Sequence, residues 1–93
     1  MDDIKLNAQK NAQLFKLIAN ENRLMILYLL SHGEANVGEL EQKMEVSQPA
    51  LSQHLARMRQ ENILDAKRVG QQIFYSIKDL RIVEMLNIID ELF

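Results

Sequence analysis

Cysteine is absent from the 93 residues, which excludes disulfides, thiolate metal centres and cysteine redox sensing. Insensitivity to direct thiol chemistry is therefore expected. One proline and three glycines offer few sites for tight turns, so a large all-β architecture is not expected. No apolar run approaches the roughly 18 residues that cross a membrane. The opening Met1-Asp2-Asp3-Ile4-Lys5 lacks the apolar stretch of a secretory signal, so a cytoplasmic protein without a membrane partner is expected. Low-complexity segments and internal repeats are missing as well. What is present is a composition of 47% hydrophobic and 26% charged residues, that of an ordinary globular protein. The length suits one domain, 1–93, built on one core of modest stability.

The net charge of −2 argues, taken alone, against a nucleic-acid partner. Its distribution argues the other way. Residues 47–78 hold Arg57, Arg59, Lys67, Arg68 and Lys78 against Glu61 and Asp65, and the rest of the chain is acidic. One basic segment on an acidic body suits a protein that offers a single surface to a polyanion.

Helical signals dominate the first two thirds. Leu14, Phe15, Leu17 and Ile18, mixed with Lys10, Gln13 and Lys16, predict a helix over about 5–19. Asn20 is an N-cap candidate, with Glu21 in the first turn. Leu24 to Leu30 is continuously apolar, and its Leu and Met content favours a central, buried helix over a strand. That helix should end near Ser31-His32-Gly33, with Gly33 in the left-handed C′ conformation and His32 on the surface. Asn36 can cap a short helix carrying Val37, Leu40 and Met44 as one stripe. Ser47 caps another from Gln48 to about Glu61, with Pro49 in its first turn and Leu51, Leu55 and Met58 facing inward. Two short helices so joined are the parts of a helix-turn-helix. The period then changes. Residues 63–68 and 71–77 read as a hairpin around Val69-Gly70, and a last helix runs over about 79–93 with Asp79 as cap.

Turning the second helix of the pair by about 100° per residue separates its two sides. Opposite the Leu51 stripe lie Pro49, Ser52, Gln53, Ala56, Arg57 and Gln60, a small, amide and cationic face without a carboxylate. Glutamine can pair bidentately with adenine and arginine with guanine, and small residues let a helix enter the major groove. A merely solvated helix would carry Glu and Lys more often. His54 borders the buried stripe, where phosphate contact, orientation of the helix and half-buried packing are the alternatives. Lys67, Arg68, Gln71 and Gln72 flank the hairpin turn and can reach the backbone or minor groove. With Ser47 and Gln48 at the helix start, these residues are the DNA-binding candidates. On the last helix, Ile82, Met85, Leu86, Ile88, Ile89, Leu92 and Phe93 span an arc of about 160°. That is wider than packing on one domain uses, so a homodimer through the terminal helices is expected. Its contacts should include Phe15, Ile82, Met85, Ile89 and Leu92.

Residues 19–27, Ala-Asn-Glu-Asn-Arg-Leu-Met-Ile-Leu, resemble the opening helix of the ArsR/SmtB winged-helix repressors. Residues 46–55, Val-Ser-Gln-Pro-Ala-Leu-Ser-Gln-His-Leu, are similar to their recognition helix, and residues 71–77 to the return strand of their wing. Within that family the chain is similar to the persulfide-responsive, HlyU/BigR-like branch. The resemblance implies a homodimeric transcription regulator, usually a repressor released from a palindromic operator by an inducer. It also implies sensing sites that this sequence does not carry. Val37-Gly38-Glu39-Leu40 stands where metal-sensing members often have cysteines, and Arg81 follows Asp79 where zinc-binding members have a histidine. Tyr28 stands at the first cysteine position of the persulfide branch, and the sequence reaches Phe93 without a second. No metal or cofactor is therefore expected, and any inducer is of another kind.

The expected fold is mainly α with a small β-hairpin wing, in the order α-α-α-α-β-β-α. An enzyme is not expected, since there is no metal cluster or phosphate-binding glycine loop and the two histidines lie on different elements. The alternative to DNA binding is a winged helix used as a protein-interaction module or antirepressor, for which an acidic or apolar wing and recognition face would be expected.

Overall fold

A computed structural model describes residues 2–93; Met1, the first residue of the expected domain, lies outside the described residues. Three segments expected to be capped helices begin where their caps stand. Helix α1 (Asp2–Ile18) leads to α2 (Glu21–Leu30), which starts as the Asn20 side chain accepts the Arg23 N–H at 3.1 Å. Helix α3 (Val37–Lys43) starts with a capping box, in which Asn36 Oδ1 accepts from Glu39 N and Glu39 Oε1 accepts from Asn36 N. Helix α4 (Gln48–Gln60) starts with Ser47 Oγ accepting from Ala50 N, and Pro49 falls in the first turn, where its missing N–H has no partner to lose.

The wing is strand β2 (Leu64–Val69) antiparallel to β3 (Gln72–Ile77), with Leu64 opposite Ile77 and Val69 opposite Gln72. Its turn residues are thus Gly70 and Gln71, one position beyond the expected Val69-Gly70. Gly70 has φ of +64° and Gln71 does not share that sign, the pattern of a II′ turn with glycine at its first central position. A strand that the sequence did not announce completes the sheet. Residues Ala35–Asn36 form β1 and pair with Tyr75 and Phe74, giving the order β1-β3-β2. The chain closes with α5 (Leu80–Leu92), capped by Asp79.

One helix end differs from expectation, and another carries a cap that the sequence did not announce. Helix α2 stops at Ser31, whose N–H bonds to Leu27 O and whose hydroxyl bonds to Tyr28 O at 2.6 Å. Gly33 sits beyond this turn at φ +142°, a positive-φ position but not a left-handed helical cap. At the end of α4 the left-handed residue is Asn62 (φ 62°), and Ile63 N bonds to Met58 O while Asn62 N bonds to Arg59 O. This is a Schellman motif with asparagine in the usual place of glycine, and its apolar partners Met58 and Ile63 are both buried.

One core joins all five helices to the base of the wing. Ile26 and Leu27 of α2 and Leu51, Leu55 and Met58 of α4 are wholly buried, and Leu40, Leu64 and Ile82 close around them. Helix α2 is central as expected, although Met25 faces outward. Helix α1 enters the core near its C-terminal end, through Leu17 and Ile18 with Leu14 packed against them.

Candidate nucleic-acid interface

Burying Leu51, Leu55 and Met58 forces the other side of α4 outward, and Ser47, Gln48, Ser52, Gln53, Ala56, Arg57 and Gln60 are all exposed. The face carries two hydroxyls, three amides and a guanidinium. Arg57 also reaches Glu61 one turn on, at 3.7 Å, in an exposed pair. An exposed pair of this kind holds its partners weakly and yields readily to a phosphate or base.

The wing residues are exposed too, but three of them are already engaged. Lys67 lies 3.9 Å from Glu34, Arg68 Nε donates to Gly70 O at 3.2 Å, and Gln72 Oε1 accepts from Asn36 Nδ2 at 3.3 Å. Arg68 thus stiffens the turn, and Gln72 ties the wing to the start of α3. Gln71, at the tip, makes no side-chain hydrogen bond among the described residues.

His54 is set apart from the other α4 candidates. It is half-buried, and its Nδ1 accepts from Arg23 Nε at 3.1 Å while Arg23 Nη1 donates to Leu17 O at 2.8 Å. Burial, and then the Arg23 cation, hold its pKa below the ordinary histidine value. Of the three alternatives open for this residue, the geometry brings together packing and orientation of the helix. Arg23 carries no signal in hydrophobic periodicity and was not foreseen as a site residue.

Among the expected partner contacts, Ile82 requires correction. It is 1% exposed within its own protomer, because α5 docks with the Ile82 and Leu86 edge against the core. Met85 is half-buried, whereas Phe15 (52% exposed), Ile89 (43%) and Leu92 (72%) remain uncovered together with Ile88. Tyr28 donates to Asp90 Oδ1 at 2.8 Å, linking α2 to α5, and this bond raises its pKa above the usual tyrosine value.

The chemistry at the start of α5 does not suit a metal. Arg81 grips both oxygens of Asp79, at 2.9 and 2.7 Å, and this bond holds the carboxyl below its usual pKa. A guanidinium occupies the carboxylate that a cation would need. Among the described residues no three His, Cys, Asp or Glu side chains cluster as ligands. Nor, among the described residues, is any helix long and apolar enough to cross a membrane.

A capped helix pair, an exposed polar second helix and a β-hairpin beside it define a winged helix-turn-helix. The family model for bacterial regulatory proteins of the arsR family matches residues 20–66, from the cap of α2 into β2. The transcriptional activator HlyU of Vibrio cholerae is 36% identical over 93 residues, covering 100% of this chain and 86% of that protein. A biofilm growth-associated repressor of Agrobacterium fabrum is 43% identical over 82 residues, covering 85% and 70%. Among solved structures, reduced HlyU from Vibrio cholerae superposes with a TM-score of 0.91 at 35% identity, covering 100% of this chain and 98% of that one. The repressor BigR from Xylella fastidiosa gives 0.89 at 35%, covering 99% and 94%. The chain belongs to the ArsR family and is a DNA-binding transcriptional regulator.

Proposed function

We propose that the protein acts as a homodimer on a palindromic operator, most simply as a repressor, in the cytoplasm. The observation that carries this reading is the exposed face of α4, polar and free of carboxylate, beside a wing that carries two cations. Ser52, Gln53 and Arg57 enter the major groove and address base edges. Ser47 and Gln48 meet the backbone at the helix N-terminus, where amide groups and the helix dipole favour phosphate. Lys67, Arg68, Gln71 and Gln72 follow the backbone into the adjoining minor groove. The partner protomer covers Phe15 and the Ile88, Ile89 and Leu92 side of α5, and the two-fold places the half-sites roughly one helical turn apart, or a multiple of it. Repression then follows from occupancy of a promoter, and the related proteins include both an activator and repressors by name.

Selection of bound fragments from total genomic DNA with the purified protein tests the proposal. The expected result is an inverted repeat, bound with an affinity that falls steeply as salt rises, as several phosphate contacts require. Retention of random fragments without a common motif would overturn the sequence-specific reading. Recovery of the motif upstream of genes whose transcripts rise on deletion of the regulator would support repression.

A further inference from the structure

Two atoms of one side chain join three helices next to the DNA-facing surface. Arg23, on α2, holds the last turn of α1 through Leu17 O and the recognition helix through His54 Nδ1. Arginine is always a donor, so the nitrogen that accepts from it carries a lone pair. The neutral His54 ring must therefore bear its proton on Nε2. No buried side-chain nitrogen or oxygen lacks a partner among the described residues, and Nε2 makes no hydrogen bond among them, so this atom reaches solvent. It does so on the flank of α4, one residue from Gln53 and three from Arg57.

We propose that Arg23 is a positioning residue for DNA reading, which fixes the angle of α4 on α1 and α2 and presents the His54 Nε2–H as a neutral donor to a backbone phosphate oxygen. The inference rests on the DNA-binding reading of α4 and assigns the contact that sets its register. A phosphate contact at the helix flank fixes orientation without reading sequence, so it governs how well Gln53 and Arg57 meet their base edges.

The arrangement requires an unprotonated Nδ1. A proton there would face the Arg23 Nε–H, donor against donor, and break the link between α2 and α4. Burial and the Arg23 cation both resist that proton. The other charges along the neighbouring groove are Lys10 and Lys16 of α1, Arg57 of α4 with Glu61 just past its end, and Asp79 and Arg81 at the start of α5. Of the charged groups around it, Arg23 is the one whose charge acts on His54. Because the folded ring resists protonation more than the unfolded one, acidification below about pH 6.5 weighs against the linked state.

The experiment measures binding to the selected operator and to a scrambled duplex between pH 5.5 and 7.5, with the His54 ring followed by NMR. Wild-type protein should lose preference for the operator on acidification as His54 titrates. Arg23→Met should raise the His54 pKa and reduce operator affinity by about tenfold at pH 7.5, the scale of one lost hydrogen bond. Arg23→Lys keeps the charge but not the fork that makes both bonds, and should not restore binding. His54→Asn offers Oδ1 to Arg23, while its Nδ2 donors stop short of the position that the ring Nε2 occupies. It should bind both duplexes more weakly with a preference that no longer depends on pH. Full operator affinity in Arg23→Lys, or an unmoved His54 titration in Arg23→Met, would overturn the assignment. If Arg23→Met does not fold, the pH profiles of wild type and His54→Asn decide, and equal profiles refute the proposal. Absence of any operator preference in wild type at pH 7.5 would instead refute the DNA-reading assignment of α4.

Discussion

Gln53 and Arg57 stand one turn apart on the exposed side of α4, and in the proposed complex they meet DNA from different starting states. Gln53 makes no side-chain bond among the described residues, whereas Arg57 must turn from Glu61. Truncating either to Ala should cost on the order of 1–3 kcal/mol at the operator and relax preference at particular base pairs. Removing Lys67 or Arg68 should weaken operator and scrambled duplexes alike and lower the salt slope by about one per lost phosphate contact. Titrations of both duplexes at two salt concentrations separate these outcomes, and equal losses for the Gln53 variant would mean that the helix grips backbone alone. The Tyr28–Asp90 bond makes a second prediction at this scale. Tyr28→Phe and Asp90→Ala should each lower the melting temperature, with the double variant no worse than either single one, because both remove the same contact. The raised tyrosine pKa gives the sign with pH. The bond is intact below the ordinary tyrosine value near 10, and its contribution is lost as pH climbs through the raised one.

At the scale of elements, local chemistry is the part of this fold that a linear reading finds. Asn20, Asn36, Ser47 and Asp79 all cap the helices expected of them, because a cap satisfies backbone N–H groups only two or three residues away. Asn62 escaped notice for a related reason. Asparagine tolerates left-handed backbone less well than glycine does, so nothing in the sequence marks it as the Schellman residue. Asn62→Gly should keep or raise stability, while Asn62→Ala should cost about 1 kcal/mol, because alanine keeps the Cβ and loses the short polar side chain that eases left-handed backbone. Thermal melts of the two variants provide the check. Strand β1 was illegible because two residues show no alternation, and its partner in β3 lies nearly forty residues away. The α5 arc was legible in width but not in direction. Periodicity says that more apolar surface exists than one domain buries, and docking decides that Ile82 lies inward. The exposed face of α4 could be read in full, since burial of Leu51, Leu55 and Met58 leaves the opposite residues no other place. The links from Arg23 to His54 and from Lys67 to Glu34 could not, because they depend on tertiary geometry.

For the whole molecule, an elongated body of 49 × 28 × 21 Å, most of the uncovered large apolar side chains belong to the two terminal helices, the exceptions including Met25 of α2 and Val69 and Ile73 of the wing. Ile89→Glu should put a charge into the covered surface of the proposed dimer, giving a light-scattering mass of one protomer and a concurrent loss of operator affinity. A dimeric variant, or a monomer with full affinity, would contradict the proposed assembly. The wing has a further consequence at this scale. Asn36 caps α3 through Oδ1, donates from its own N–H to Glu39, pairs in register with Phe74 and holds Gln72 through Nδ2. The hairpin is thus bolted to the first helix of the helix-turn-helix and does not hang from α4 alone. Two relatives could not trade wings as self-contained cassettes. A chimera carrying only residues 64–77 would bring a foreign strand to a host's β1, and the swap would have to include residues 34–36 for the transplanted hairpin to keep its pitch.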